Sequence, residues 1–279
     1  MNTPAADRFV SPTLDASYDL TDAQVQRFRE DGFIKLKDVL DADTLAHYGE
    51  EITRLTFELN PKKDLNDAQK TTYDRAFIQV GNLWEHSDTV RRFSFSRRLG
   101  HLATQLLGVS GVRLYHDQAL YKEPAGGFTP WHVDQQYWPM NSAKSVTAWV
   151  PLQAVPLEMG PLCFGRGSHL KHIGREMAIS DESERQIAAE IKKHKIVEVF
   201  EPYDLGEVSF HYGWTLHRAG GNTTNAPRKV HTVIYMDEQM KLAEARNKNQ
   251  RCDHEMWSPS TRVGEVMADA KNPVLYREG

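Results

Sequence analysis

Cysteine is scarce in this chain: Cys163 and Cys252 are the only two in 279 residues. Two thiols cannot staple a disulfide scaffold, and Cys163 stands among apolar neighbours, so the expectation is a reduced, cytoplasmic protein. Positive charge is not in excess either. The formal net charge of −4 argues against a general nucleic-acid or membrane surface. No apolar run is long enough to span a bilayer. Met1-Asn2-Thr3-Pro4 does not open a basic-then-apolar leader, and Tyr276-Arg277-Glu278-Gly279 is not a sorting signal. Repeats of fixed period and low-complexity tracts are also missing. What remains is a globular composition, 40% hydrophobic and 26% charged, in a chain long enough for one large domain or two small ones. The partner expected of such a chain is a small molecule.

The hydrophobic period changes once along the chain. Residues 1–18 have none and read as an irregular arm. Thr21 or Asp22 is placed to cap a helix over residues 23–30 that stops at Asp31-Gly32. Residues 33–36 read as a short strand. Asp41 or Asp43 opens a second helix carrying Leu45, Tyr48, Ile52, Leu55 and Leu59, which Pro61 ends. Residues 62–72 look loop-like, 77–80 strand-like, and 90–107 helical up to Gly108. From Val112 the period is two. Strands are expected over 112–122, around Trp131, and over 145–150, 160–164, 195–200, 207–210, 215–217 and 228–236, with a polar tail beyond Asp237 in which Trp257 and Pro259 pack. Helices followed by about eight short strands predict a mainly β fold, a double-stranded β-helix of the jelly-roll, cupin-like kind. A single domain is expected: 1–110 as arm and helical region, 111–237 as core with an insertion near 170–195, and 238–279 as tail.

The chemistry concentrates at Trp131-His132-Val133-Asp134. In extended chain, positions i and i+2 share a face, so His132 and Asp134 can reach one metal. His217, from a distant strand, would complete a two-histidine, one-carboxylate set that leaves positions open and suits non-haem Fe(II). On the strand after it, Arg228 shares a face with Val230, Thr232, Ile234 and Met236. A guanidinium on so apolar a face needs an anion, and can hold a carboxylate by a bidentate pair. His-x-Asp alone is a weak motif, and His86-Ser87-Asp88 repeats it. That second copy leads into a helix start capped by Ser87 or Asp88, with no strand on either side, so context selects His132.

With these residues placed, the chain resembles the phytanoyl-CoA dioxygenase family of Fe(II)/2-oxoglutarate oxygenases. The resemblance runs from Leu20 to Glu238. It is carried by Leu20-Thr21-Asp22-Ala23-Gln24 into Gly32-Phe33-Ile34, by Trp131-His132-Val133-Asp134, by Ala148-Trp149-Val150-Pro151-Leu152, by Met159-Gly160-Pro161-Leu162 into Gly167-Ser168-His169, and by His217-Arg218-Ala219-Gly220-Gly221-Asn222 with Arg228. It implies iron held by His132, Asp134 and His217. It also implies a 2-oxoglutarate cosubstrate whose C5 carboxylate pairs with Arg228, and which is decarboxylated to succinate and CO2 as O2 is consumed. Gln118 and Trp149 fall where relatives line the cosubstrate pocket, although Trp149 also reads as a core aromatic. Gln79 stands where the namesake enzyme has a cosubstrate lysine. Ala219 replaces a cosubstrate-binding serine, for which Thr224 offers a hydroxyl further round the turn, and Arg166 replaces a proline. Asp134 itself favours hydroxylation over halogenation, because halogenating relatives lack that carboxylate.

Tyr137 and Trp138 either line a substrate pocket or pack. Residues 170–195 are long for a connection. Their helical stretch over 184–194 has only Ile187, Ala188 and Ile191 as an apolar stripe, which predicts weak docking and a cover over the primary substrate. Two other readings stay open: a cupin-like metal isomerase or hydrolase with the same ligands, which would not need Arg228, and a non-catalytic small-molecule binding module.

Overall fold

The structure, a computed structural model, describes residue 9, residues 11–65 and residues 77–279. Residues 1–8 and 10 of the expected arm, and residues 66–72 of the expected polar loop, lie outside the described residues. The described part of the arm is not irregular throughout. A single turn, α1 (Pro12–Asp15), is capped by Ser11 and buries Leu14 completely.

Helix α2 (Asp22–Asp31) starts at a capping box between Thr21 and Gln24, and ends at Gly32 in the left-handed conformation. A Cβ at Gly32 would sit 2.3 Å from His169 Nδ1, so only glycine can turn the chain there into β1 (Phe33–Leu36). Asp41 caps α3 (Ala42–Glu58), whose Leu45, Tyr48, Ile52 and Leu55 are buried as the spacing predicts. The helical stretch expected over 90–107 is two helices, α4 (Asp88–Ser94) and α5 (Arg97–Leu107). Ser96 breaks it by accepting from Leu99 N–H as a fresh N-cap. Ser87 caps α4, so the second His-x-Asp is a helix start and not a site.

The strands form two antiparallel sheets. The larger runs β1, β8 (Val208–Tyr212), β5 (Ser145–Pro151), β10 (Val230–Asp237), β3 (Gly111–Tyr121), with β2 (Ile78–Gly81) and β11 (Val274–Arg277) sharing the outer edge of β3. The smaller runs β4 (Thr129–His132), β9 (His217–Ala219), β6 (Leu162–Gly165), β7 (Glu198–Phe200). This is the double-stranded β-helix expected from the sequence.

Alternation along the large sheet separates its two faces. Val146, Ala148 and Val150 of β5, Ala119 and Tyr121 of β3, Phe210 of β8 and Val233 and Tyr235 of β10 join α3, α4 and α5 in the main apolar core. The residues between them (Thr147, Trp149, Gln118, Leu120, His211, Thr232) face the other way and line a cavity of about 700 Å³.

Two segments depart from expectation. The helix in the 170–195 insertion, α6, spans Asp181–Lys193 and begins at a Ser180 capping box, earlier than its apolar stripe suggests. It is not weakly docked: Ile187 and Ile191 are buried against Trp131, Val133, Cys163 and Leu216. The segment beyond Asp237 is more than a tail. It supplies helix α7 (Lys248–Trp257), which walls the cavity, and edge strand β11. Among the described residues, no helix is long and apolar enough to cross a membrane.

Candidate active site

Strands β4 and β9 pair with His132 opposite His217. β4 ends at His132. Val133 stays extended (φ −126°, ψ 135°), and Asp134 opens a short 3-10 turn. The i, i+2 relation therefore holds through Val133, although Asp134 has left the strand. One donor atom from each of His132, Asp134 and His217 lies within 4.8 Å of the others. Asp134 Oδ1 is 3.5 Å from Nε2 of both histidines.

Hydrogen bonding fixes what these atoms offer. His132 Nδ1 lies 2.7 Å from Pro130 C=O, and His217 Nδ1 lies 3.0 Å from Thr215 C=O. A carbonyl only accepts, so each Nδ1 carries the proton and each Nε2 presents a lone pair. Burial, with His132 alongside, holds the His217 imidazole well below its usual range, and hence neutral. Burial alone would raise the Asp134 carboxyl, but the group is held well below its usual range, and hence ionised, with His211 Nε2 donating to it. Two lone pairs and an anionic oxygen thus converge on one point. That arrangement is repulsive without a cation and matches the donor set of a divalent metal.

Asp134 Oδ2 points away from this point and is held by two residues the sequence did not single out. His211 Nε2 donates at 3.1 Å and Thr147 Oγ1 at 3.2 Å. Both stand on strands of the large sheet, β8 and β5. Extending the β8 alternation by one residue past Phe210 would have pointed to His211.

The cationic end of the cavity is built by β10 and the turn before it. Arg228 is 2% exposed. Its Nη1 donates to Gly160 C=O at 2.5 Å, its Nε finds no acceptor, and no carboxylate pairs with it among the described residues. Its guanidinium carbon lies 5.4 Å from the Trp149 ring. Burial pushes its pKa down to about 10. Gly160 can offer its carbonyl because it is glycine: its φ is +68°, and a Cβ would meet Gly220 O at 2.2 Å. Lys122 lies behind, bridged to Arg228 through the backbone, and burial followed by the Arg228 charge pushes its ammonium down to about 6. The single buried charge of Arg228, with an unused N–H, is complementary to a carboxylate.

Gln79 and Gln118 both line the cavity and are bonded to each other at 2.6 Å. Trp149 lines it too and belongs to the neighbouring apolar cluster, so it serves in both capacities. Tyr137 and Trp138 likewise line and pack. Tyr137 accepts from Ile179 N–H at 2.8 Å, and Trp138 meets the Tyr115 ring edge-on at 5.6 Å. Thr224 is not brought in. Its hydroxyl is spent inside its own turn, on Asn222 Oδ1 at 2.8 Å and Ala226 C=O at 3.0 Å, and it does not reach the cavity lining. Short polar side chains in a tight turn bond their own backbone first.

A double-stranded β-helix with two imidazoles and one carboxylate gathered inside it defines the class as a mononuclear metal enzyme of the cupin-like kind. The chain belongs to the phytanoyl-CoA dioxygenase (PhyH) family, whose sequence model matches residues 28–230. It is 22% identical over 266 residues to phytanoyl-CoA dioxygenase domain-containing protein 1 of Danio rerio, covering 79% of this chain and 91% of that one. Among solved structures it resembles the epimerase SnoN of nogalamycin biosynthesis, crystallised with Fe3+, alpha ketoglutarate and nogalamycin RO. That match has 28% identity and a TM-score of 0.73, over 91% of this chain and 98% of that one. The carbocyclase SnoK of the same biosynthesis shares the fold at 22% identity and a TM-score of 0.74, over 92% and 97%. Family and fold together make this an enzyme of the iron- and 2-oxoglutarate-dependent superfamily.

Proposed function

We propose that the protein oxidises an unactivated C–H bond of a small organic substrate with Fe(II), 2-oxoglutarate and O2, releasing succinate and CO2. His132, Asp134 and His217 hold the iron, and Arg228 holds the C5 carboxylate of 2-oxoglutarate. The observation that carries the reading is the unpartnered, buried guanidinium of Arg228 in the same cavity as the three donors. The same cavity admits both groups, and a cupin-like isomerase or hydrolase would leave that buried charge without an anion. The donor set argues likewise against a binding module. When bound, the iron would activate O2, which is the oxidant, drawing two electrons from 2-oxoglutarate as it becomes succinate and CO2 and two from the substrate C–H bond.

The chain's own groups bind, orient and shield. His211 and Thr147 fix Asp134 so that Oδ1 alone faces the metal point. Gln79 and Gln118, bonded to each other, present amide groups beside the cosubstrate space. Trp149 and Leu162 give it apolar walls. Hydroxylation is the outcome we favour, because Asp134 occupies the position that halogenation leaves open. The epimerase and carbocyclase relatives named above carry the same scaffold to other products.

The test is a calorimetric titration of 2-oxoglutarate into metal-loaded protein. Replacing a bidentate fork with a point charge in a buried site should cost about 2–5 kcal/mol. Arg228→Lys is therefore expected to weaken 2-oxoglutarate at least tenfold while leaving metal affinity within about threefold. Unchanged 2-oxoglutarate affinity would overturn the assignment. Succinate formation across a metabolite panel then reports turnover.

A further inference from the structure

One wall of the cavity is built by α7, and its chemistry differs from the rest. Asn249, Asp253, Met256 and Trp257 occupy one face of that helix, at the i, i+4, i+7 and i+8 positions, and all four line the cavity. The face is fixed in place. Asn247 caps the helix, and Gln250 Nε2 donates to Gln136 C=O at 3.1 Å, in the short turn that Asp134 opens. Trp257 stacks on His116 at 4.5 Å with the rings 21° apart.

Asp253 is the one carboxylate lining this wall among the described residues, since Asp134 belongs to the metal point. Its partners are neutral donors: the Tyr115 hydroxyl at 3.2 Å and the Trp257 side chain. No basic side chain pairs with it among the described residues. The neighbouring imidazole offers no charge, because burial pushes His116 down to about 4. Aromatic rings surround the carboxylate: Tyr115 donates to it, Trp257 follows on the same helix, and Tyr137 and Trp138 line the same cavity. Asp253 is half-buried, and a carboxylate partly withdrawn from water without a counter-ion gains from a cation bound to it. Aromatic faces beside it favour a cation over any neutral donor.

We infer that the primary substrate is an organic cation, a protonated or quaternary amine on an apolar or aromatic body, with Asp253 as its counter-ion and Trp257, Tyr137 and Trp138 as its walls. The cavity then has two poles. Arg228 receives the anionic cosubstrate and Asp253 receives the cationic substrate, in the one cavity that the metal donors also line. This names the substrate class for the proposed reaction and rests on that reading for the chemistry, although not for the binding. Cofactor and substrate are kept from exchanging places, because each would meet a like charge at the wrong pole.

The experiment compares two probes of one shape, 2-(1-naphthyl)ethylamine and 2-(1-naphthyl)ethanol, by calorimetry on the full chain, with and without metal and 2-oxoglutarate. The amine is expected to bind at least tenfold tighter than the alcohol. Asp253→Asn should remove that preference, and Asp253→Glu should retain part of it, while both variants keep wild-type 2-oxoglutarate affinity. Equal binding of the two probes by wild-type protein overturns the inference, as does no detectable amine binding at millimolar concentration, or a preference that survives in Asp253→Asn. The wild-type comparison needs no variant to fold. The 2-oxoglutarate titration on the same sample separates this failure from failure of the iron and cosubstrate reading.

Discussion

Helices α6 and α7 both lie outside the strands of the β-helix, yet they do different things for the site. α6 supplies no side chain to the cavity lining; only Ala178 and Ile179, in the loop before it, reach that space. It grips the backbone of the strand that carries His132. Ser183 donates to Trp131 C=O at 3.0 Å, and Glu184 accepts from Trp131 N–H at 2.7 Å and from Arg218 at 2.9 Å. Arg218 follows His217, so one carboxylate ties β4 to β9. α7 does the reverse, turning Asn249, Asp253, Met256 and Trp257 into the cavity. Proximity to a site therefore does not say which part of it an element controls. The direction of its polar side chains does: α6 bonds the backbone of the strand that carries His132, and α7 turns its polar face into the cavity.

The largest effect that would break this comparison is removal of α6. A weakly docked lid could be cut away with metal and 2-oxoglutarate binding intact, and the thin apolar stripe of 184–194 predicts that result. The observed docking predicts otherwise. Replacing residues 170–195 with a short Gly/Ser linker strips Ile173, Ile187 and Ile191 from Trp131, Val133 and Leu216. It also leaves Trp131 N–H and C=O without their partners. Deleting buried aliphatic side chains costs about 2–5 kcal/mol each, so the expected outcome is a lower melting temperature and a loss of metal affinity of at least a hundredfold. Metal binding within a few-fold of wild type, measured by Co(II) titration, would make α6 a cover after all.

A smaller change sharpens the same point. Glu184→Gln keeps an acceptor for Trp131 N–H and removes the charge that Arg218 uses. A hydrogen bond to a charged group is worth about 1.5–3 kcal/mol, and Glu184 is partly exposed, so the expected loss of stability is at the low end. Partners behind the ligands of a metal typically tune affinity by about 10–100-fold. We expect a roughly tenfold weaker metal and an unchanged naphthylethylamine affinity. A weakened amine with an undisturbed metal would reverse the assignment of the two helices.

What the sequence made legible follows the same division. The metal donors could be read because extended chain has a period of two, and Arg228 because it interrupts an otherwise apolar strand face. The core helices could be read because their stripes face an apolar sheet. α7 could not. Its inward face mixes Asn249 and Asp253 with Met256 and Trp257, so Lys248–Trp257 shows no apolar period, and Trp257 reads only as a packing residue. α6 was visible, but its docking was underrated, because Ser183 and Glu184 carry much of it and polar residues in a first helical turn read as capping. His211 and Thr147 stay silent for a related reason: their meaning is a distance to Asp134 across three strands, which no local pattern encodes.

The smallest expected effect tests the α7 side through stability. Burial pushes the Asp253 carboxyl up to about 7, with hydrogen bonds from Tyr115 and Trp257 only partly opposing it. An unfolded aspartate titrates near about 3.9. Between those values the native state keeps a proton that the unfolded state has lost, so stability is highest below about pH 4 for this group and falls as pH rises through about 7. Asparagine cannot ionise and escapes that fall. The groups facing Asp253 do not mask it: Tyr115 and Tyr137 have hydroxyls pushed up by burial, and His116, stacked on Trp257, is pushed down to about 4, so all stay neutral across the window. Asn249 and Trp138 do not titrate. Asp253→Asn without ligand should therefore melt a few degrees higher than wild type at pH 8, about 2–4 °C for each kcal/mol recovered, and higher by a smaller margin at pH 5. Adding the amine should reverse the order at pH 8, since only the carboxylate is stabilised by a bound cation. A variant that melts lower than wild type at both pH values in the absence of amine would mean that Asp253 is already compensated inside the protein, and that the substrate pole lies elsewhere in the cavity.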